Sequence, residues 1–350
     1  MKYDVAILGA TGAVGQRYIE LLEDHPWFDV GVLTASERSA KNRYGEVCDW
    51  KLSSEMPEKV KNLEVVSTSL KDVKRTDQVD LAFSALPGDV AGPVEDEFAE
   101  NIPVVSKASA HRMDADVPLI IPEVNPEHLE LIEVQKENKE RNGFISTDPN
   151  CSTIQLTISL KPLMELGLSE VALTTLQALS GAGYPGVASL DIVDNVIPYI
   201  SGEEHKLESE PLKILGDFEG DHIEESDIDI SASCNRVDLK DGHLESVWVD
   251  LEDEKSVDRV LETFETFEGP QKISRLPSAP ERPLEVMDEK DRPQPRLDRN
   301  TNEGMSVCVG RVRDDPIFSI KYSCLGHNTI RGAAGSGILH AELLEKEDYI

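Results

Sequence analysis

Positive charge is what this sequence has least of. It carries 35 Lys+Arg against 67 Asp+Glu, a formal net charge of -32 over 350 residues. A surface this acidic repels phosphate backbones and anionic lipid headgroups, which argues against nucleic acid and membranes as partners. Long apolar runs are missing too: no stretch approaches the ~18 residues that a membrane span needs. Cysteine is scarce. Cys48, Cys151, Cys234, Cys308 and Cys324 are odd in number and widely spaced, with no CxxC pair. That is the pattern of reduced thiols in a cytosol, not of a disulfide frame. Cys324 and His327 stand three apart without a second such pair, so no metal is expected. Met1-Lys2-Tyr3-Asp4 runs straight into an apolar strand, with no basic region and no small-residue cleavage site. No signal peptide is expected, and the cytoplasm is the expected location.

What is present is enough apolar material for a large core, 39% of the chain. The length suggests roughly two domains of ~150 residues each. The acid is spread, as in Asp221-His222-Ile223-Glu224-Glu225, Glu252-Asp253-Glu254 and Glu345-Lys346-Glu347-Asp348, with apolar residues between. Such a solvated acidic surface suits a salt-rich cytosol, where screening removes self-repulsion. A salt-adapted protein of haloarchaeal kind is the resulting hypothesis. Folding and full activity without added salt would contradict it.

The first half alternates strands and helices. Residues 3–8 read as a buried strand, 9–15 as a glycine-spaced turn and 16–23 as a helix. Short strands follow at 30–33, 79–83, 103–106 and 144–146, with a polar loop at 34–43 and a polar helix within 125–142. That order predicts an α/β fold with a parallel, doubly wound, Rossmann-like sheet. Beyond Cys151 the pattern changes. Strands at 171–178, 246–251 and 318–322 predict a second, α+β domain on a mostly antiparallel or mixed sheet. The proline- and charge-dense stretch 277–299 reads as an extended surface arm, and 329–346 as a helix that can return to either domain.

Gly9-Ala10-Thr11-Gly12-Ala13-Val14-Gly15 follows a strand and opens a helix. Glycines there allow a tight turn and a close approach of backbone to a pyrophosphate, at a helix N-terminus whose free N–H groups face the anion. Gly9, Thr11, Gly12, Ala13 and Val14 are therefore candidate dinucleotide contacts. An NAD site wants an acid at the end of the second strand, and none stands there before Glu37. Ser36, Arg38, Ser39 and Lys41 instead offer donors and positive charge to a 2′-phosphate, hence NADP. An ordinary polar loop is the competing reading.

Pro149-Asn150-Cys151-Ser152-Thr153 lies directly after a strand. If a helix starts there, Cys151 sits at its positive end, where a thiolate is stabilised and its pKa falls. Amides beside Asn150 would then hold an oxyanion. The alternation Ile154-Leu156-Ile158-Leu160 reads equally as a strand, and a buried, inert cysteine is the bland alternative.

These motifs, with Leu176-Gln-Ala-Leu-Ser-Gly-Ala-Gly183, Pro198-Tyr-Ile-Ser-Gly-Glu-Glu-His-Lys206, Cys234-Asn-Arg-Val237, Gly242-His243, Leu276-Pro-Ser-Ala-Pro280 and His327-Asn-Thr-Ile-Arg-Gly-Ala-Ala-Gly335, resemble the aspartate-semialdehyde dehydrogenase family, archaeal/fungal type, nearly end to end. The glycine motif alone is shared with many enzymes; the ordered set is specific. The resemblance implies NADPH-dependent reductive dephosphorylation of L-aspartyl 4-phosphate to L-aspartate 4-semialdehyde, a step toward lysine, threonine and methionine. It implies a cysteine acyl-enzyme at Cys151, with His243 as acid/base near its ordinary pKa of ~6.5. It further implies Arg236 on the substrate α-carboxylate, Glu203 on the amino group, Lys206 on a phosphate or carboxylate, Gln177 orienting the acyl group, Arg112 on the leaving phosphate and Asn328 on the nicotinamide carboxamide. Residues 1–150 with 328–350 would form the NADP domain, 151–327 the catalytic and dimerisation domain, and the protein at least a homodimer. Unaided, Arg236, His243 and the Glu203/Lys206 pair read as ordinary surface or loop residues. Lys107 stands where the family pattern has Asn, and His205 takes no role.

Three alternatives compete with this reading. Asn150-Cys151-Ser152 speaks against an N-acetyl-glutamyl-phosphate reductase, which has Gly before and Tyr after its cysteine. Arg236 and Glu203 favour an amino-acid substrate over a malonyl-CoA-type reductase. A non-catalytic nucleotide-binding protein would not need Cys151, His243 and Arg236 together.

Overall fold

A computed structural model describes residues 2–73, 79–252 and 256–350. Met1 and two residues of one acidic run, Asp253 and Glu254, lie outside the described residues.

Six strands build the first sheet: β1 (Tyr3–Leu8), β2 (Phe28–Ala35), β3 (Val65–Ser67), β4 (Leu81–Ser84), β5 (Val104–Ser106) and β6 (Ile145–Thr147). Their order is β3-β2-β1-β4-β5-β6 and every pairing is parallel. Helices Ala13–Leu21, Gly88–Ala99 and Leu131–Lys139 make the crossovers. The sequence pattern missed β3 and the helix that begins at Gly88, because Pro87-Gly88 reads as a stop. Proline at that boundary is compatible with a helix start, since the first N–H groups of a helix lack intrahelical partners anyway. The strand order reverses between β1 and β4, and the glycine turn after β1 opens there, at the switch point where doubly wound sheets take their ligands.

The second sheet is mixed. It comprises β7 (Leu168–Gln177), β10 (Asp229–Arg236), β11 (His243–Leu251), β12 (Leu284–Met287), β13 (Val307–Asp314) and β14 (Ile320–Gly326), in the order β10-β7-β11-β14-β13-β12. A two-stranded ribbon, β8 (Asp217–Phe218) with β9 (Ile223–Glu224), stands apart. The stretch expected as a surface arm, 277–299, contributes β12, which pairs in parallel with β13 at the sheet edge. Its prolines flank the strand and leave Leu284-Glu-Val-Met287 free to donate to a ladder, as an edge strand tolerates.

Two of the main apolar cores match these sheets. One gathers Val5, Ile7, Tyr18, Leu33, Phe83 and Phe144 with Ile338, Leu339, Leu343 and Leu344. The last helix, Gly335–Lys346, thus packs on the first sheet. A second core gathers Ile154, Leu156, Leu173, Val247, Phe264 and Tyr322. Among the described residues no helix is long and apolar enough to cross a membrane.

The return of the last helix is measurable. A Cβ at Gly337 would fall 2.0 Å from Oη of Tyr18, a fully buried ring. Gly337→Ala is therefore expected to cost about 1–3 kcal/mol through overpacking and to lower the thermal midpoint by several degrees. An unchanged midpoint would show that the helix does not sit against Tyr18.

Candidate active site

The helix Cys151–Leu160 begins where β6 ends. Asn150 caps it: its side-chain oxygen accepts from the Ser152 N–H at 2.9 Å. Residues 152–160 are all buried. A helix enclosed on every side needs no amphipathic period, which is why its alternation looked equally like a strand. Cys151 thus occupies the first turn. A Cβ at Gly332 would sit 2.7 Å from the Cys151 Cβ, so that glycine lets the chain pass directly behind Cys151.

Cys151 Sγ lies 3.3 Å from Nε2 of His243, the first residue of β11. The other ring nitrogen, Nδ1, accepts the Ala178 N–H at 3.0 Å. The neutral ring therefore carries its proton on Nε2, facing the sulfur. Burial, then Arg236 and His327, push the His243 pKa down to about 3. The ring is uncharged at neutral pH, contrary to the expectation of a pKa near 6.5. The Cys151 thiol is likewise not lowered by its helix position. Burial and then the Glu203 carboxylate push it up to about 12, against the pull of Arg236, Arg112 and Lys206. A first-turn position stabilises an anion by only ~0.3–1 kcal/mol at an exposed site, less than desolvation takes away. The resting pair is thus a thiol and a neutral imidazole.

Helix Glu203–Ile214 supplies one wall. Glu203 pairs with Lys206 at 2.7 Å, receives the Asn150 Nδ2 at 3.0 Å and the Gln177 Nε2 at 3.3 Å. Burial opposes its charge, but these donors hold its carboxyl below the usual range. Gln177 also donates to Ser152 Oγ at 2.6 Å, so it braces the first turn of the Cys151–Leu160 helix. Arg236, at the end of β10, gives Nη1 to the Ala178 carbonyl at 2.6 Å. A Cβ at Gly181 would meet that Nη1 at 3.1 Å and His243 Nε2 at 3.2 Å, so the glycine keeps the space above both groups open.

Three residues escaped the sequence reading. Glu210 accepts from Arg112 Nη1 at 2.8 Å and from the Asn150 N–H at 2.7 Å, joining the Arg112 loop to the nucleophile. Lys213 donates to the carbonyls of Arg112, Asp114 and Val117. The signal was available: Glu203, Lys206, Glu210 and Lys213 follow i, i+3, i+7, i+10 on one helix face. Gln155, also missed, holds the His243 carbonyl from inside the nucleophile helix at 3.0 Å.

The dinucleotide turn has the required cradle. Gly9 has φ +81° and a Cβ there would lie 2.9 Å from the Ala85 carbonyl oxygen beyond β4. At Gly15 a Cβ would come within 2.4 Å of the Gly9 oxygen. Thr34 Oγ1 accepts the Gly9 N–H at 3.4 Å, and Gln16 bonds the Thr11 carbonyl at 3.0 Å. Gly12 caps helix Ala13–Leu21 without any side-chain cap, so the first amides, at Ala13 and Val14, are left for an anion. Ser36, Glu37 and Arg38 are exposed just past the end of β2, and the turn closes by Ser39 N–H to the Ser36 oxygen at 2.9 Å. A cleft of 570 Å³ beside this helix is lined by Ala13, Arg17, Ser180, Tyr184, His327 and Thr329 among others, with neither Cys151 nor His243 in its lining. Asn328 bonds Ser180 of its lining. Its Oδ1 accepts the Gly242 N–H and its Nδ2 donates to Ser180 Oγ, both at 2.8 Å, so it chiefly fixes the backbone before His243. A larger hollow of 660 Å³ beside β2 and β3, lined by Glu37, Lys41, Glu64 and Asp72, contains none of the groups around Cys151.

The comparisons with known proteins agree with this layout. Residues 4–132 match the family model described as semialdehyde dehydrogenase, NAD binding domain, and 160–331 that described as semialdehyde dehydrogenase, dimerisation domain. The chain is 55% identical to an aspartate-semialdehyde dehydrogenase of Archaeoglobus fulgidus, with both chains fully covered. It is 52% identical to that of Methanothermobacter thermautotrophicus over 98% of this chain and 99% of the other. A crystal structure of aspartate semialdehyde dehydrogenase with NADP from Candida albicans superposes with a TM-score of 0.91 at 41% identity, covering both chains fully. With an all-parallel nucleotide-binding sheet, a mixed second sheet and a cysteine–histidine pair between them, the chain belongs to the semialdehyde dehydrogenase family.

Proposed function

We propose that this protein reduces L-aspartyl 4-phosphate to L-aspartate 4-semialdehyde with NADPH, releasing phosphate, through an acyl-enzyme on Cys151. The observation that carries the reading is the 3.3 Å contact between Cys151 Sγ and His243 Nε2 at the mouth of a capped helix, ringed by Glu203, Arg236, Lys206 and Arg112. That set matches a substrate with an ammonium, a carboxylate and a phosphoryl group. Glu203 takes the ammonium and Arg236 the α-carboxylate, through the guanidinium edge not given to Ala178.

The sulfur of Cys151 attacks the acyl carbon. A C–S bond forms, the C–O bond to phosphate breaks, and the thiol proton leaves with the phosphate. The glycine turn and, at the 2′-phosphate, Ser36, Arg38 and Ser39 would hold NADPH, which when bound would supply the hydride that reduces the resulting thioester. The His243 Nε2–H donates to the oxyanion that develops there and then to the departing thiolate, which a neutral imidazole does without first gaining a proton. The Cys151 N–H shares the oxyanion, since the Asn150 and Ser152 N–H groups are given to Glu210 and to Asn150 Oδ1. Collapse breaks the C–S bond, frees the aldehyde and leaves the sulfur to take a proton from solvent.

Residues 1–150 with 328–350 act as the cofactor domain in this reading, and 151–327 as the catalytic one. A homo-oligomer is the working state. The name of the second family model and the exposed Tyr184, Leu190, Val193, Val196 and Tyr199 on one segment support it. The acidic surface suits a salt-rich cytoplasm. Aspartate semialdehyde, phosphate and NADP should yield NADPH, with NAD much poorer. No phosphate-dependent absorbance at the nicotinamide band would refute the activity, and equal turnover of NAD would refute the cofactor choice.

A further inference from the structure

Lys107 is a buried cation that neither the mechanism nor the fold accounts for. It follows β5, and its side chain is 8% exposed. Among the described residues its Nζ has no hydrogen-bond partner. The nearest charge is Asp148 Oδ2 at 3.6 Å, which also lacks a hydrogen bond. Asp148 is committed elsewhere: its Oδ1 meets His340 Nδ1 at 3.1 Å, and His340 Nε2 meets Ser146 Oγ at 2.8 Å. These three residues form a buried chain that fixes the carboxylate behind the lysine.

Arg112 bends back over the same loop. Its Nη2 donates to the Lys107 carbonyl at 2.6 Å and its Nη1 to Glu210, which leaves a buried Nε without a partner. Two donor groups on one loop, Lys107 Nζ and Arg112 Nε, are thus buried and unspent close to Cys151. Leaving a buried ammonium without hydrogen bonds is costly. An anion of two negative charges is the ligand that would satisfy both. We infer that Lys107, backed by the Asp148–His340–Ser146 chain, is a further phosphoryl-binding residue of this active site and acts together with Arg112. The inference rests on the reading of the substrate as an acyl phosphate.

Charge state adds a signature. Burial lowers the Lys107 pKa to about 8, against Asp148, Cys151 and Glu210, which raise it; Arg112 lowers it further. The groups facing the ammonium are therefore Asp148 beyond β6, Arg112 on its own loop, Cys151 on the nucleophile helix and Glu210 on the adjacent helix, with His340 of the last helix behind Asp148. The cation is present below pH 8 and is lost above it.

The test is the KM for inorganic phosphate in the reverse reaction. Lys107→Met should raise it roughly 10- to 100-fold at pH 6.5, with the KM for semialdehyde and NADP within twofold and Lys107→Arg restoring most of the loss. The ratio of variant to unmodified KM should fall toward one by pH 9.5. Comparison as a ratio removes the ionisation of phosphate itself. Lys107→Gln serves if the Met variant does not fold. Protection of Cys151 from alkylation by phosphate, measured against pH on the unmodified protein, reads the same site without any variant. A folded variant with an unchanged phosphate KM, or phosphate protection that does not weaken above pH 8, overturns the role of Lys107 alone. An unmodified protein without phosphate-dependent turnover removes the substrate reading, and this inference with it.

Discussion

Cys151→Ala is expected to reduce turnover in either direction by about 10⁴-fold or more, while NADP binding measured by fluorescence stays within twofold. The size follows from covalent catalysis. Without the sulfur no thioester forms, and hydride would have to reach an acyl phosphate held by contacts alone. The NADP arm is essential because Cys151 lies at the junction of both halves. A fold defect would weaken cofactor binding as well, whereas loss of the nucleophile would not. The other four cysteines do not substitute: Cys234, Cys308 and Cys324 are buried, and Cys48 lies in the first half of the chain, after β2. Wild-type turnover in the variant would rule out the acyl-enzyme.

His243→Ala should slow the hydride half-reaction by about 10²–10³-fold, the cost of removing one oxyanion donor. The pH dependence is the sharper measurement. With its pKa pushed down to about 3 and its Nδ1 occupied by the Ala178 N–H, the ring stays neutral from pH 5 to 8. Its protonation belongs below that window, so kcat/KM should show no acid-side limb near 6.5 that disappears in the variant. Such a limb would mean that the ring ionises in the working range and acts as an imidazolium acid. Glutamine or asparagine at 243 restores an N–H near the sulfur, and partial recovery with asparagine is the result expected of a donor that is never charged.

Some of the site was legible in the sequence and some was not, for identifiable reasons. The glycine turn was readable because its spacing is a local, backbone-level requirement. Cys151 was readable because strand, proline, cap and nucleophile are consecutive. Arg236, Glu203 and His243 were not distinctive by themselves and stood out only through the family resemblance. Glu210 and Lys213 were overlooked although their helical spacing with Glu203 was on view, since a charged helix face usually faces water. Here it faces the Arg112 loop, and burial of that face is a property of packing.

The sequence alone pointed to the parallel first sheet, to a mostly antiparallel or mixed second one and to Cys151 as the proposed nucleophile, because hydrophobic period, turn chemistry and capping act between near neighbours. Tertiary structure decided what crosses long distances. It brought together Cys151 and His243, 92 positions apart, returned the last helix to Tyr18 and made β12 from a proline-rich stretch. It also decided the protonation states. Helix position and reference pKa values pointed to a thiolate and a titrating histidine; desolvation by surrounding side chains, visible only in the folded protein, favours the neutral form of both. The same burial leaves Lys107 with an ion pair to Asp148 at 3.6 Å and, among the described residues, no hydrogen bond, a position that sequence marked only as a departure from pattern.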